Sequence, residues 1–153
     1  MSLGWLEQMP RLFGIQAEGS AAVANAYQSG SENIIPVSAQ TLADSISVDL
    51  PRDGVRAVRA ARETGGTYIL VKDQEILAAI SNLGKVGIFA EPAGATAYAG
   101  LVKAVKAGMI TPQDPVAVIN TGSGLKDVKA AMQAAGEVVV IEPTLGALKR
   151  VIK

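Results

Sequence analysis

Val116-Ala-Val-Ile-Asn-Thr121-Gly-Ser-Gly-Leu-Lys-Asp127 reads as an apolar strand that runs into a Gly-x-Gly turn and then into a helix. A strand ending in a hydroxyl residue followed by glycines gathers backbone N–H groups, a helix N-terminus and a side-chain donor at one point. Such a junction suits a polar ligand, and its surroundings decide which one. Before it, Gly87-Ile-Phe-Ala90 reads as a short buried strand leading into Glu91-Pro-Ala-Gly94. Pro92 fits the first turn of a helix running to about Lys106, whose opening turns are almost all small residues and permit close backbone approach. After it come a helix carrying Leu125, Val128 and Met132, a last strand over Glu137–Ile141, and a closing helix begun by Thr144 and carrying Leu145, Leu148 and Ile152.

Further out, the segment from Gly4 to Pro10 is expected to be a helix tail and connector, and Met1-Ser-Leu3 has the look of an appended leader. Arg11–Ala17 is a short strand, and Ser20 is placed to cap a helix from Ala21 to about Gln28. The stretch 31–39 is a polar, proline-bearing loop, and Thr41–Val48 is ambiguous between a helical turn and a strand. Asp53 begins a helix to about Thr64, with Val55, Val58 and Ala61 inward and Arg56, Arg59 and Arg62 forming a basic stripe that suits a phosphate grip or, more simply, a solvated face paired with nearby acids. Thr67–Val71 is a β-branched and aromatic strand. Asp73 is placed to cap a helix with Ile76, Leu77, Ile80 and Leu83 on one apolar stripe. Strands alternating with helices over short loops specify an α/β fold, a mostly parallel sheet in a three-layer αβα arrangement, as a single domain over 1–153.

Composition narrows the function. With 14 basic and 14 acidic side chains, no net field attracts nucleic acid, and aromatics at 4% leave no stacking platform for it. No apolar run reaches membrane-spanning length. The chain has no cysteine and no histidine, which removes thiolate nucleophiles, Ser–His dyads and typical zinc sites. No metal is expected, and the composition is compatible with a cytoplasmic location.

Three constellations carry chemistry. Gly122-x-Gly124 with Glu142 mimics a dinucleotide fingerprint, but Asp127 stands where its third glycine belongs. Glu91, at a strand end and helix start, suits acid–base work or a simple cap. Thr41-Leu-Ala-Asp-Ser-Ile, with Asp44 and Ser45, suits a pocket lining or a plain turn.

Gln16-Ala-Glu-Gly, Thr41-Leu-Ala-Asp-Ser-Ile, Glu63-Thr-Gly-Gly, Gly87-Ile-Phe-Ala-Glu-Pro-Ala-Gly-Ala and Thr121-Gly-Ser-Gly-Leu-Lys-Asp occur in this order. In that order and at those separations, the chain resembles the later part of threonine synthase, from about Leu6 to Ile152. That family depends on pyridoxal phosphate and has the tryptophan synthase β-like fold (fold type II). The serine/threonine dehydratases share Glu-Pro-Ala-Gly but less of the closing motif and form the alternative within this class. A non-catalytic nucleotide-binding module using Gly122, Gly124 and Glu142 is the alternative outside it.

The resemblance implies that the Thr121 hydroxyl meets the pyridine nitrogen of the cofactor, that Gly122 and Ser123 belong to the same cofactor-binding turn, and that Gly122 and Gly124 bring the backbone near the ring. A neutral hydroxyl there makes the ring a weaker electron sink than an aspartate would. Ser45 and Glu91 fall on the substrate side. The family often has serine where this chain has Gly94, a departure that bears on packing. The implied reaction converts O-phosphohomoserine and water to threonine and phosphate, and a homo-oligomer is expected. The family's catalytic lysine lies in a Ser-x-Lys context, and no lysine here does. No Gly/Asn-rich phosphate loop is found either. The expectation is therefore a C-terminal part of the pyridoxal-phosphate-binding large domain, without the catalytic-lysine part and the lid domain. No catalytic residue is assigned to this chain, and pyridoxal phosphate is expected in the full-length parent, not on the fragment.

Overall fold

Phe13–Ala17 (β1) and Thr67–Val71 (β2) pair in parallel, with Phe13 opposite Thr67 and Ala17 opposite Val71. The computed structural model describes Gly4, residues 7–137 and residues 139–152. Trp5 and Leu6 of the expected helix tail, the leader Met1-Ser-Leu3 and Val138 of the expected last strand lie outside them.

The described residues form six α-helices: Ala22–Gln28 (α1), Gly54–Glu63 (α2), Asp73–Lys85 (α3), Pro92–Lys106 (α4), Val128–Ala135 (α5) and Leu145–Val151 (α6). Side chains on β2 alternate as a pleated strand requires. Ile69 and Val71 enter a core with Ile76, Ile80 and Leu83 of α3 and Ala95, Ala99 and Ala104 of α4. Tyr68 joins Val23 and Ala26 of α1 and Val58 of α2 in a second cluster. Helices thus cover both faces of a parallel pair, which is the expected layering. Small residues let the layers approach: a methyl on Gly14 would overlap the Tyr68 ring, and one on Gly100 would overlap Ile15.

Several polar side chains near helix starts serve tertiary contacts instead of the caps expected of them. Ser20 makes no cap bond to α1; its hydroxyl donates to Ile46 O at 3.0 Å and accepts from Val48 N at 3.0 Å. Asp73 is the first residue of α3, and its carboxylate accepts from the Thr41 hydroxyl and from Leu42 N, the latter at 3.0 Å. These bonds resolve the ambiguous 41–48 stretch into a turn centred on Asp44–Ile46. Lys103 ties α4 to the end of β2, donating to Leu70 O at 2.7 Å and to Glu75 Oε2 at 3.3 Å. Burial raises the Glu75 carboxyl, but the Lys72 N–H and the Lys103 ammonium outweigh it and hold the group below its ordinary value.

The arginine stripe of α2 is paired as a solvated face should be. Arg59 binds Glu32 in a fork at 2.6–3.0 Å, Arg56 lies 3.4 Å from Asp53, and Arg62 donates to Ser31 O at 3.0 Å. Val58 and Ala61 are buried on that helix, whereas Val55 is 39% exposed, so its expected inward position is corrected.

The last third departs furthest from expectation. Among the described residues, neither 116–120 nor 137–141 forms a strand, and 87–90 contributes a single antiparallel bridge, Ala90 to Ser123. The turn passes through a 3-10 segment, Gly124–Lys126, before α5 begins, and Leu125, Val128 and Met132 point outward while Ala130 is buried. On α6, Leu145 and Leu148 are likewise exposed, as is Ile152 just past its end, though Thr144 caps the helix as expected, accepting from Ala147 N at 3.1 Å. The physical reason is shared. An apolar strand or stripe takes a fixed place only where an edge and a covering layer meet it.

Candidate functional site

Glu91 stands just before α4 in extended backbone, and Pro92 begins the helix with its φ already set. The Glu91 N–H donates to Gly122 O at 3.0 Å, and the Gly124 N–H donates to Phe89 O at 3.0 Å. These two bonds dock the 121–124 turn on the entrance of α4. Neither Gly122 nor Gly124 has a positive φ, so conformational freedom does not explain them. Contact does: a methyl on Gly122 would overlap the Glu91 carboxylate, and one on Gly124 would overlap the Phe89 ring. The groups beside both empty Cβ positions belong to this chain. Gly94 completes the seat, because a Cβ there would overlap Asn120 Oδ1 and lie 3.2 Å from Gly122 N. A side chain at position 94 would therefore crowd the seated turn.

The Glu91 side chain is 7% exposed, and its Oε1 lies 3.5 Å from Lys126 Nζ, an ammonium on a mostly exposed side chain. The α4 N-terminus adds favourable dipole field. Glu91 makes no side-chain cap bond, so its carboxylate is committed to the lysine and not to the helix. Sequence reasoning leaves Lys126 inside its own motif. The signal that points to it is a carboxylate at a strand–helix junction, which needs a cation when buried.

Ser45 and Glu91, both read as substrate-side residues, line one small cleft of about 110 Å³ together with Asp44, Lys126 and Asp127. Ser45 is held there by the Asp44–Ile46 turn that Asp73 anchors. Asp127 is tied down as the cap of α5, its Oδ1 accepting from Ala130 N at 2.9 Å. Among the described residues, no group of three metal-ligating side chains converges here.

Thr121 sits beside this cleft in sequence but is not part of its lining; it is exposed, and its hydroxyl makes no hydrogen bond to another described residue. Ser123 is exposed as well, and its hydroxyl oxygen accepts from Leu125 N at 3.3 Å, a local cap. Glu142 is exposed and outside any described strand. A dinucleotide site needs paired strands on both sides of its glycine turn, and the described residues form neither.

Residues 1–122 match the family model described as "Pyridoxal-phosphate dependent enzyme". The chain is 37% identical over 152 residues to a threonine synthase from Methanocaldococcus jannaschii, covering 98% of this chain and 38% of that protein. Among solved structures, threonine synthase from Escherichia coli superposes with a TM-score of 0.63 at 20% identity, over 89% of this chain and 31% of that one. A T.th. threonine deaminase superposes with a TM-score of 0.51 at 22% identity, over 66% of this chain and 35% of that one. These likenesses show a shared fold. The chain spans little more than a third of the length of the curated relatives it matches.

Proposed function

The chain belongs to the pyridoxal-phosphate dependent enzymes, and from that premise we propose that it serves threonine synthesis: O-phosphohomoserine and water to threonine and phosphate. The observation that carries this reading is the 37% identity with a threonine synthase, sustained over 98% of the chain. Residues 1–153 are proposed as the C-terminal part of the cofactor-binding large domain, with the catalytic lysine and the lid supplied from outside this sequence. The whole enzyme is proposed to be a cytoplasmic homo-oligomer acting on a small molecule.

The residues present fit pyridoxal phosphate. The exposed Thr121 hydroxyl, with no described partner, is a free donor on a turn whose backbone is pinned at Gly122 and Gly124. When bound, the cofactor delocalises carbanionic charge next to the substrate amino group. Thr121 would donate to the ring nitrogen without a counter-charge, Gly122 and Ser123 would complete the wall, and Ser45 and Glu91, which line one cleft, would orient substrate there. Thr121→Val in the whole protein is expected to weaken cofactor binding about five- to tenfold, as loss of one hydrogen bond predicts, with Thr121→Ser close to the parent. Equal affinity of the valine variant, read by absorbance titration, would sink the assignment. Product analysis separates the dehydratase alternative, since O-phosphohomoserine must yield threonine, and threonine itself must not be deaminated.

Prepared by itself, the 153-residue chain is expected to give no stable cofactor absorbance band and no turnover of O-phosphohomoserine. A band that borohydride fixes onto a single lysine would overturn that expectation.

A further inference from the structure

Glu91 is nearly the whole of the buried charge in the described core: the buried polar or charged side chains are Ser20, Glu91 and Thr96. Ser20 and Thr96 are satisfied by backbone partners, Ile46 O and Pro92 O among them. The carboxylate has a single ion-pair partner among the described residues, Lys126 Nζ at 3.5 Å. Its own backbone N–H holds Gly122 O at 3.0 Å, and its side chain fills the space left by the missing Cβ of Gly122. One residue therefore contacts the turn twice, through backbone and side chain, and is itself held from the turn's far end.

We propose that Lys126 is a positioning residue, a latch that fixes Glu91 against Gly122 and thereby sets where the turn presents Thr121. The inference rests on the cofactor reading of Thr121 for its functional meaning, but its physical content does not depend on a cofactor. An exposed ion pair contributes little. Here only the lysine is exposed, so removing it leaves a buried carboxylate with no ionic partner, which is the unfavourable case. The carboxylate then gains by moving toward water, and that movement disturbs its contact with Gly122. Lys126 arises three residues after Ser123, in the 3-10 segment whose Lys126 N–H donates to Ser123 O at 3.1 Å, so a short rigid path joins the ammonium to the turn it latches.

The test compares Lys126→Met, which keeps the side-chain stem, with Lys126→Arg, which keeps the charge, in the full chain. Amide hydrogen exchange is followed at Glu91 and Gly124, whose N–H groups dock the turn, and at Ile69 and Val71 in β2. The methionine variant is expected to exchange about tenfold faster at Glu91 and Gly124, with β2 unchanged, and arginine is expected to restore the parent rates. Unchanged rates at Glu91 and Gly124 overturn the latch. Equal acceleration at Ile69 and Val71 also overturns it, because the lysine would then support the fold at large. Exchange needs no pyridoxal phosphate, so a cofactor titration that fails while exchange behaves as expected refutes the cofactor reading alone. Where both hold, Lys126→Met is expected to loosen cofactor binding several-fold, with arginine again rescuing.

Discussion

Gly122→Ala lowers the stability of the full chain by about 1–3 kcal/mol, the usual cost of forcing a methyl group into filled space. The expectation is steric. The Gly122 backbone lies outside the left-handed region, so alanine can adopt it. What alanine cannot do is share space with the Glu91 carboxylate, which any added Cβ would overlap. Relief by moving Glu91 would break its N–H bond to Gly122 O and its approach to Lys126. Urea denaturation should show the midpoint falling with the slope unchanged. A double-mutant cycle sharpens the test: in a Glu91→Ala background the same glycine substitution should cost much less, because the colliding carboxylate is gone. An identical cost in both backgrounds would mean that the collision is not the cause.

Ile76→Ala is expected to cost more, about 2–5 kcal/mol, from lost burial plus the cavity left behind. Ile76 is fully buried and, among the described residues, is the largest side chain so enclosed. It sits on α3 among Val71 of β2, Ala95 and Ala99 of α4 and Ala130 of α5, so the void opens where several elements meet. Ile76→Val, removing one methyl, should cost about 0.5–1.5 kcal/mol. Val55→Ala is the control. Val55 shares the helical spacing of a core residue but is 39% exposed, so its truncation should stay within about 0.5 kcal/mol. If Val55→Ala cost as much as Ile76→Ala, the burial described above would be wrong.

The contrast between Val55 and Ile76 shows what periodicity conveys. A 3.6-residue repeat marks the side of a helix that seeks cover, and for α3 the stripe of Ile76, Ile80 and Leu83 finds it. Around α5 the same logic selects Leu125, Val128 and Met132, which are exposed, while the small Ala130 is buried. The repeat is intact there, but cover is a tertiary fact that no local pattern contains. Caps behave in the same way. Ser20 and Asp73 are the right residue types at helix starts, yet the first holds Ile46 and Val48 and the second holds Thr41 and Leu42. A hydroxyl or carboxylate near a helix start has more than one available partner, and only the folded chain decides between them.

The candidate site divides similarly. The Thr121 turn, Glu91 and Ser45 are legible as motifs because glycines, a proline after a carboxylate and a hydroxyl-rich turn are local signals. Their meeting is not legible, since it depends on Gly122 docking against a residue far away in the chain. Lys126 escapes notice for the same reason, because its partner lies outside its own motif.

The parallel pairing of β1 with β2 carries a consequence for how the molecule forms. Phe13 must find Thr67, a separation of about fifty residues, before the first rung of the sheet exists. Loop closure of that length costs entropy before any contact repays it. The intervening chain shortens the search by folding locally, with Tyr27 of α1 donating to Gly66 O at 2.9 Å at the threshold of β2. The pair is therefore expected to form late, after α1 and α2 have docked. A stopped-flow refolding trace should show helix signal preceding burial of the Tyr27–Tyr68 ring pair, whose centroids end 5.4 Å apart.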